Sequence, residues 1–455
     1  MKDPEHIPAL TPRGPGHQFV FYGDSCSGVP NAPHEETFAA VNAVVDRLSP
    51  APDFIVFPGD EVIGLTADAD ALRAQWRHWL DVEMAWLNRQ KIPLYHATSN
   101  HTTYDTMSEG VFAEMLPHLP RNGPPDQEGL SYFVRRGDLL MVFVHTSWSG
   151  LGGEGHVETG WLAETLRRHA DSRYKLVIGH HPVFPVNGFS GAYQREIGPE
   201  HAATFWSILV ENGVFAYLCS HILAFDVQVH DGVLQITSAG AGTAHRMPEG
   251  EEYLHCVQAA LDDEGLRYQV LDIEGQVRER LSWPLGLPPS SDWVTLSAGE
   301  QDAPLQDAEP RMVAWRFGGC ASTSAAQAQT LLSAWSNGPD LTPLWIGLTG
   351  AEQRLTVMLA PIPGRSPHAW FGPGLAAGAP FDIQLALHTN MGPGGVLWRL
   401  SDASPWNSLD GASSWGPERL VWPARWTTGC GQGGQSDRPF SGENLNVTYF
   451  STATV

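Results

Sequence analysis

Phe54-Ile-Val-Phe57-Pro-Gly-Asp60 is a run of four large apolar residues closed by a Pro-Gly turn and a carboxylate. Such a run is the pattern of a strand buried on both faces and ended by residues that break it. The same grammar recurs on either side. Residues 19–22 lead into Gly-Asp24-Ser-Cys26, residues 93–97 into Thr-Ser-Asn100-His101, and residues 139–144 into His145. Residues 174–178 lead into Gly-His180-His181-Pro, and residues 214–218 into Cys-Ser-His221. Between the first two runs, residues 35–48 place Phe38, Val41, Val45 and Leu48 on one face of a helix, and residues 71–87 and 161–169 show further helical patterns. Strands alternating with helices over residues 16–285 predict a sheet layered with helices.

Composition sets the frame. At 455 residues the chain is long enough for two domains or three, and its 42% hydrophobic content supplies ordinary cores. The 47 Gly and 35 Pro favour loop-rich α/β or β architecture over a helical bundle. A formal charge of −23, from 27 Lys and Arg against 50 Asp and Glu, repels a phosphate backbone and argues against nucleic acid as the partner. Five cysteines, sparse and odd in number, make a disulfide scaffold an unsuitable reading. Cys320 and Cys430 are expected to be thiols. With no apolar leader and no run of 18 apolar residues, the expectation is a cytoplasmic protein without a membrane span.

Residues 286–310 are rich in Pro, Ser, Asp and Gly and read as a linker. Beyond it the texture changes to short alternating runs such as Leu355-Thr-Val-Met-Leu359, with Gly and Pro turns between them. This is β-sandwich texture, and ten of the 17 Trp fall at or after Trp293. The division expected is therefore a tail at 1–15, an α/β unit at 16–285, the linker, and an all-β unit at 311–455.

Ligand sites in layered α/β folds assemble where strands end, because the loops there converge. Asp24, Asp60, Asn100, His180 and His221 all follow strand candidates, and two Asp, one Asn and two His form a mixed oxygen and nitrogen set suited to Mn, Fe or Zn ions. In this order they resemble the calcineurin-like metallophosphoesterase superfamily. The pattern of that family is Asp-x-His, Gly-Asp, Gly-Asn-His, a lone His, then Gly-His-x-His.

The resemblance covers residues 16–285. It implies a four-layer α/β/β/α sandwich that holds two metals at its strand ends and hydrolyses phosphoesters with metal-activated water. It makes Asp60 the bridging carboxylate and Asn100, His180 and His221 the other ligands of the second metal. Asp24 falls to the first metal, and His101 becomes the acid that positions phosphate.

Three positions depart from the pattern: Cys26 stands for a His, Ser220 for a Gly and Leu223 for the final His. A Cys26 thiolate suits Zn or Fe, whereas Leu223 has no donor atom. One metal or two thus remain open, and so do His145 and His34 as replacement ligands.

His181 is expected beside the ligands or facing substrate. Tyr104 and Asp105 are candidates to orient His101, and His245 and Arg246 are candidates to meet a substrate oxygen. A first site short of imidazoles neutralises a dianionic monoester less well, which favours a diester substrate.

Residues 311–455 resemble a concanavalin-like or laminin-G-like sandwich in texture, with Trp406, Trp415, Trp422 and Trp426 in loop-like sequence as candidates for sugar stacking. The competing reading is a protein with altered chemistry, or none, that binds a glycan or a phosphorylated ligand.

Overall fold

The structure is a computed structural model of the chain. It describes residues 6–148, 153–188, 196–243, 253–303, 305, 310–323, 327–335, 344–359, 368–412, 422–431 and 438–452. The chain forms two compact units, one of Met1–Val186, Ser190–Asp226 and Val233–Leu285, the other of Asn187–Phe189, Val227–Gly232 and Gly286–Val455. His245, Arg246 and Trp415 lie outside the described residues.

The first unit is built on two mixed sheets. One runs Val277–Trp283, Gly265–Asp272, His255–Asp262, His17–Phe21, Phe54–Phe57, Leu94–His96. Its last three strands are parallel, and His255–Asp262 pairs with His17–Phe21 antiparallel. The other sheet contains Val233–Ser238, Ala216–Cys219, Tyr174–Ile178, Leu139–Phe143 and Tyr132–Arg136 in that order, parallel except for the final pair.

Parallel strands covered on both faces explain the continuous apolar runs, since every residue from Leu139 to Phe143 is buried. Their side chains divide by alternation. Leu140 and Val142 pack with Leu162 and Leu166 of helix Thr159–Arg168 and with Phe205 and Leu209 of helix Pro199–Glu211. Phe143 meets Tyr95 of the other sheet, ring centres 6.0 Å apart. On the far side of the first sheet, Phe38 of helix Pro33–Asp46 stacks on Trp79 and meets Phe57 edge to face. The order is therefore helices, sheet, sheet, helices.

The pattern over residues 71–87 resolves into helix Ala69–His78, capped by Asp68, followed by a π-helical turn, Trp79–Glu83. That turn brings Trp79 round onto Phe38 and Phe57. Among the described residues, no helix is long and apolar enough to cross a membrane. All five cysteines are thiols.

The second unit is all β. One antiparallel sheet is centred on Met312–Cys320, between Glu443–Thr452 and Pro380–His388, and another contains Arg425–Thr428, Gln329–Trp335, Leu344–Thr349, Arg354–Leu359 and His368–Gly374. A core between them includes Trp315, Phe317, Leu331, Ile346, Val357, Trp370, Leu385 and Trp426. Within residues 286–310, Val294–Thr295 pairs with Thr448 and Tyr449, and Gly299–Asp302 pairs with Arg425–Thr428. Those polar residues thus form edge strands, where alternate side chains face water.

The tryptophans read as sugar platforms are mostly covered. Trp426 is fully buried against Trp315, Trp406 is buried with the Arg399 guanidinium over its ring, and the Trp422 ring donates to the Pro310 carbonyl.

Candidate metal centre

The loops that end the parallel strands are tied to one another by their backbones. Asp24 N–H donates to the Gly59 carbonyl at 3.1 Å, Cys26 N–H to the Asp60 carbonyl at 2.7 Å, and Ser220 N–H to the His180 carbonyl at 2.9 Å. This lacing holds Asp24, Cys26, Asp60 and His221 at φ of 63°, 40°, 57° and 70°. Residues with a Cβ rarely adopt this left-handed backbone, and where such strain gathers it usually serves a site.

His180 Nδ1 donates to the Pro58 carbonyl at 2.9 Å, which fixes the tautomer and turns Nε2 inward. There Nε2 lies 2.9 Å from Asn100 Oδ1, 3.0 Å from His221 Nδ1 and 3.5 Å from Asp60 Oδ2. His221 Nδ1 is 3.1 Å from Asn100 Oδ1. Asn100 Oδ1, His180 Nε2 and His221 Nδ1 stand at this spacing from one another, with Asp60 Oδ2 beside His180, and such a set fits a cation with bonds of about 2.0–2.2 Å, whose ligand atoms stand about 3 to 3.5 Å apart.

Electrostatics describe the same demand for positive charge. Burial disfavours a charged His180, yet the Asp60 and Asp24 carboxylates outweigh it and push its pKa up to about 9. Burial likewise opposes charge on Asp60, but His180 and His101 hold it well below the usual carboxylate range. Asp24 goes the other way, raised by burial and by the neighbouring Asp60.

The remaining expected groups fall around this centre. Asp24 Oδ2 accepts from the Ser220 hydroxyl and, at 3.0 Å, from the His221 N–H. Leu223 is buried and supplies no donor. Cys26 Sγ lies 3.9 Å from Asp60 Oδ2, and His101 Nε2 lies 4.0 Å from the same oxygen. His181 is buried beside the ligands, its ring centre 4.4 Å from that of His221 and its Nδ1 2.8 Å from Thr146 Oγ1.

His145 is placed elsewhere. Its Nδ1 is 2.6 Å from Thr98 Oγ1 and its Nε2 3.7 Å from Glu109, and no converging donor group among the described residues includes it. His34 Nδ1 lies 2.9 Å from the Cys26 carbonyl. Asp105 caps helix Thr106–Met115, accepting from the Ser108 N–H at 2.7 Å, and the Tyr104 hydroxyl donates to the Thr66 carbonyl.

Two buried groups carry no signal in the sequence. Glu61, adjacent to Asp60, places Oε1 2.8 Å from His96 Nδ1, with both side chains fully buried. Burial pushes the carboxyl up and the imidazole down, disfavouring charge on either partner. Ser99 accepts the Asp60 N–H at 2.9 Å and so fixes the turn that presents the carboxylate.

Two mixed sheets sandwiched by helices, with these donors at the ends of their parallel strands, decide the fold. The first unit has the calcineurin-like metallophosphoesterase fold. No family model and no curated protein matches the sequence. Among solved structures, the chain is similar to purple acid phosphatase PPD1 of yellow lupin (Lupinus luteus), at 13% identity and a TM-score of 0.44, over 60% of this chain and 55% of that one. It is also similar to GAP50, the anchor in the inner membrane complex of Plasmodium, at 13% identity and a TM-score of 0.41, over 59% of this chain and 88% of that one. A further likeness is to the CBM40 of the Ruminococcus gnavus IT-sialidase, at 14% identity and a TM-score of 0.26, over 35% of this chain and 89% of that one.

Proposed function

We propose that this protein is a metal-dependent hydrolase of phosphoesters that acts on diesters in preference to monoesters. The observation that carries this reading is the convergence of Asn100 Oδ1 and His221 Nδ1 on His180 Nε2, with Asp60 Oδ2 3.5 Å from the same nitrogen and a backbone strained to hold them. A divalent Mn, Fe or Zn ion there supplies Lewis acidity and lowers the pKa of water toward 7.

The chain's own part is placement and charge. Asp60 contributes the negative charge, the Pro58 carbonyl keeps the His180 lone pair inward, and Ser99 fixes the Asp60 turn. Burial of Asp24, Asp60 and His180 removes competing water, which strengthens their pull on a cation. The absence of a donor at Leu223 weakens neutralisation of a dianion, which supports the diester preference.

The test is hydrolysis of bis-p-nitrophenyl phosphate and p-nitrophenyl phosphate by the full chain loaded with Mn²⁺, Fe²⁺ or Zn²⁺, with His180→Ala as control. Diester turnover that His180→Ala abolishes is expected. No turnover above that control with any of the ions overturns the proposal, and equal turnover of the monoester overturns the preference.

A further inference from the structure

Cys26, Asp60 and His101 form a second converging group, their ligand atoms all within 4.8 Å of one another. Two features set it apart from an ordinary hydrogen-bonded thiol. His101 Nδ1 lies 2.7 Å from the Ile63 carbonyl and donates to it, which leaves Nε2 to face Asp60 Oδ2 at 4.0 Å. An imidazole nitrogen and the Cys26 thiol, its Sγ at 3.9 Å, thus face the same carboxylate oxygen. For a tetrahedral ion with bonds of about 2.3 Å to sulfur and about 2.0 Å to nitrogen and oxygen, these separations close to about 3.3–3.5 Å. That is a movement of roughly half an ångström.

We infer that Cys26, Asp60 and His101 form a second, thiolate-containing cation site that shares Asp60 with the centre described above and takes a thiophilic ion such as Zn²⁺ or Fe²⁺. The inference rests on the proposed centre only for that shared carboxylate. It names the group that the sequence leaves open. Leu223 offers nothing, and the imidazole grouped with the Cys26 thiol and Asp60 is His101. On binding, the Cys26 S–H bond breaks, its proton passes to bulk water, and sulfur gives its electron pair to the ion. His101 then serves as a ligand and not as an acid.

Cobalt tests this without reference to turnover. The full chain, stripped by chelator, is titrated with Co²⁺ while bound equivalents and the near-ultraviolet thiolate-to-cobalt charge-transfer band are recorded. Two equivalents and the band are expected. Cys26→Ser should lose the band and one equivalent, His101→Ala should weaken the same equivalent by at least tenfold, and His180→Ala should weaken the other while the band persists.

One equivalent without the band overturns this inference and leaves the proposed centre standing, whereas no bound cobalt sinks both. A band that survives in Cys26→Ser overturns the thiol assignment. Unchanged affinity in His101→Ala overturns the imidazole, and equal thermal melting of the stripped variants excludes misfolding as the cause of any loss.

Discussion

Asp60 Oδ2 faces three side chains at once: it is 3.5 Å from His180, 3.9 Å from Cys26 and 4.0 Å from His101. Asp60→Asn keeps the shape and removes the charge. Loss of an outer-shell partner typically costs 10 to 100-fold in metal affinity, so loss of this charge should cost more than about 100-fold. Equilibrium dialysis against Zn²⁺ checks it, and a loss under tenfold would refute the central place given to Asp60.

Other buried residues respond to acid. Burial lowers His145 to about 3 and both His255 and His388 to about 4. The folded chain therefore refuses protons that the unfolded chain accepts below about pH 6.5, and stability that is complete above that pH is lost as pH falls toward 4. Between pH 7 and pH 5 each residue should contribute about 2 kcal/mol to the loss. Urea unfolding at pH 7 and pH 5 tests this. His255→Asn, which keeps a donor for the Tyr253 carbonyl, should flatten the dependence.

At the scale of elements, turns and caps do the positioning. Gly59 has φ of +107°, and a Cβ there would lie 2.7 Å from both His180 Nδ1 and the Ser99 Cβ. Gly59→Ala should thus cost about 2–4 kcal/mol and displace the His180 ring as well. Calorimetry together with metal titration checks it, and a variant that binds metal normally would show that the turn can yield.

Asp105 gives a contrasting case. Its carboxylate closes a capping box with Ser108 at the start of helix Thr106–Met115, so Asp105→Ala should cost about 1 kcal/mol of stability and leave metal affinity unchanged. A selective loss of metal binding would return Asp105 to the role of orienting His101. The cap was legible in principle, since Asp105 and Ser108 stand three apart at the head of a helix, the spacing of a local and sequence-visible motif.

Taken whole, the molecule has two units with separate cores, and a cation bound only by the folded first unit stabilises that unit alone. At 100 times the dissociation constant the gain is about 2.7 kcal/mol, which at about 2–4 °C per kcal/mol raises one melting transition by roughly 5–10 °C. Scanning calorimetry with and without chelator should show one transition moving and one still. Equal movement of both would refute the assignment of the centre to the first unit.

The sequence by itself determined which segments become buried strands and where they stop, because apolar runs ended by Gly and Pro are local signals, and Phe54 to Asp60 and Tyr174 to His181 carry them plainly. It also determined which donor types follow those strands, and that Leu223 has no donor atom. Only the tertiary structure decided which donors meet. Asn100 and His221 are 121 residues apart and follow strands of two different sheets, and they touch because the packing of those sheets brings the loops together. The same packing sent His145 to Thr98, paired Glu61 with His96, buried Trp426 in a core and turned His101 toward Cys26, since contact across a fold depends on the order of its strands and on neither residue alone.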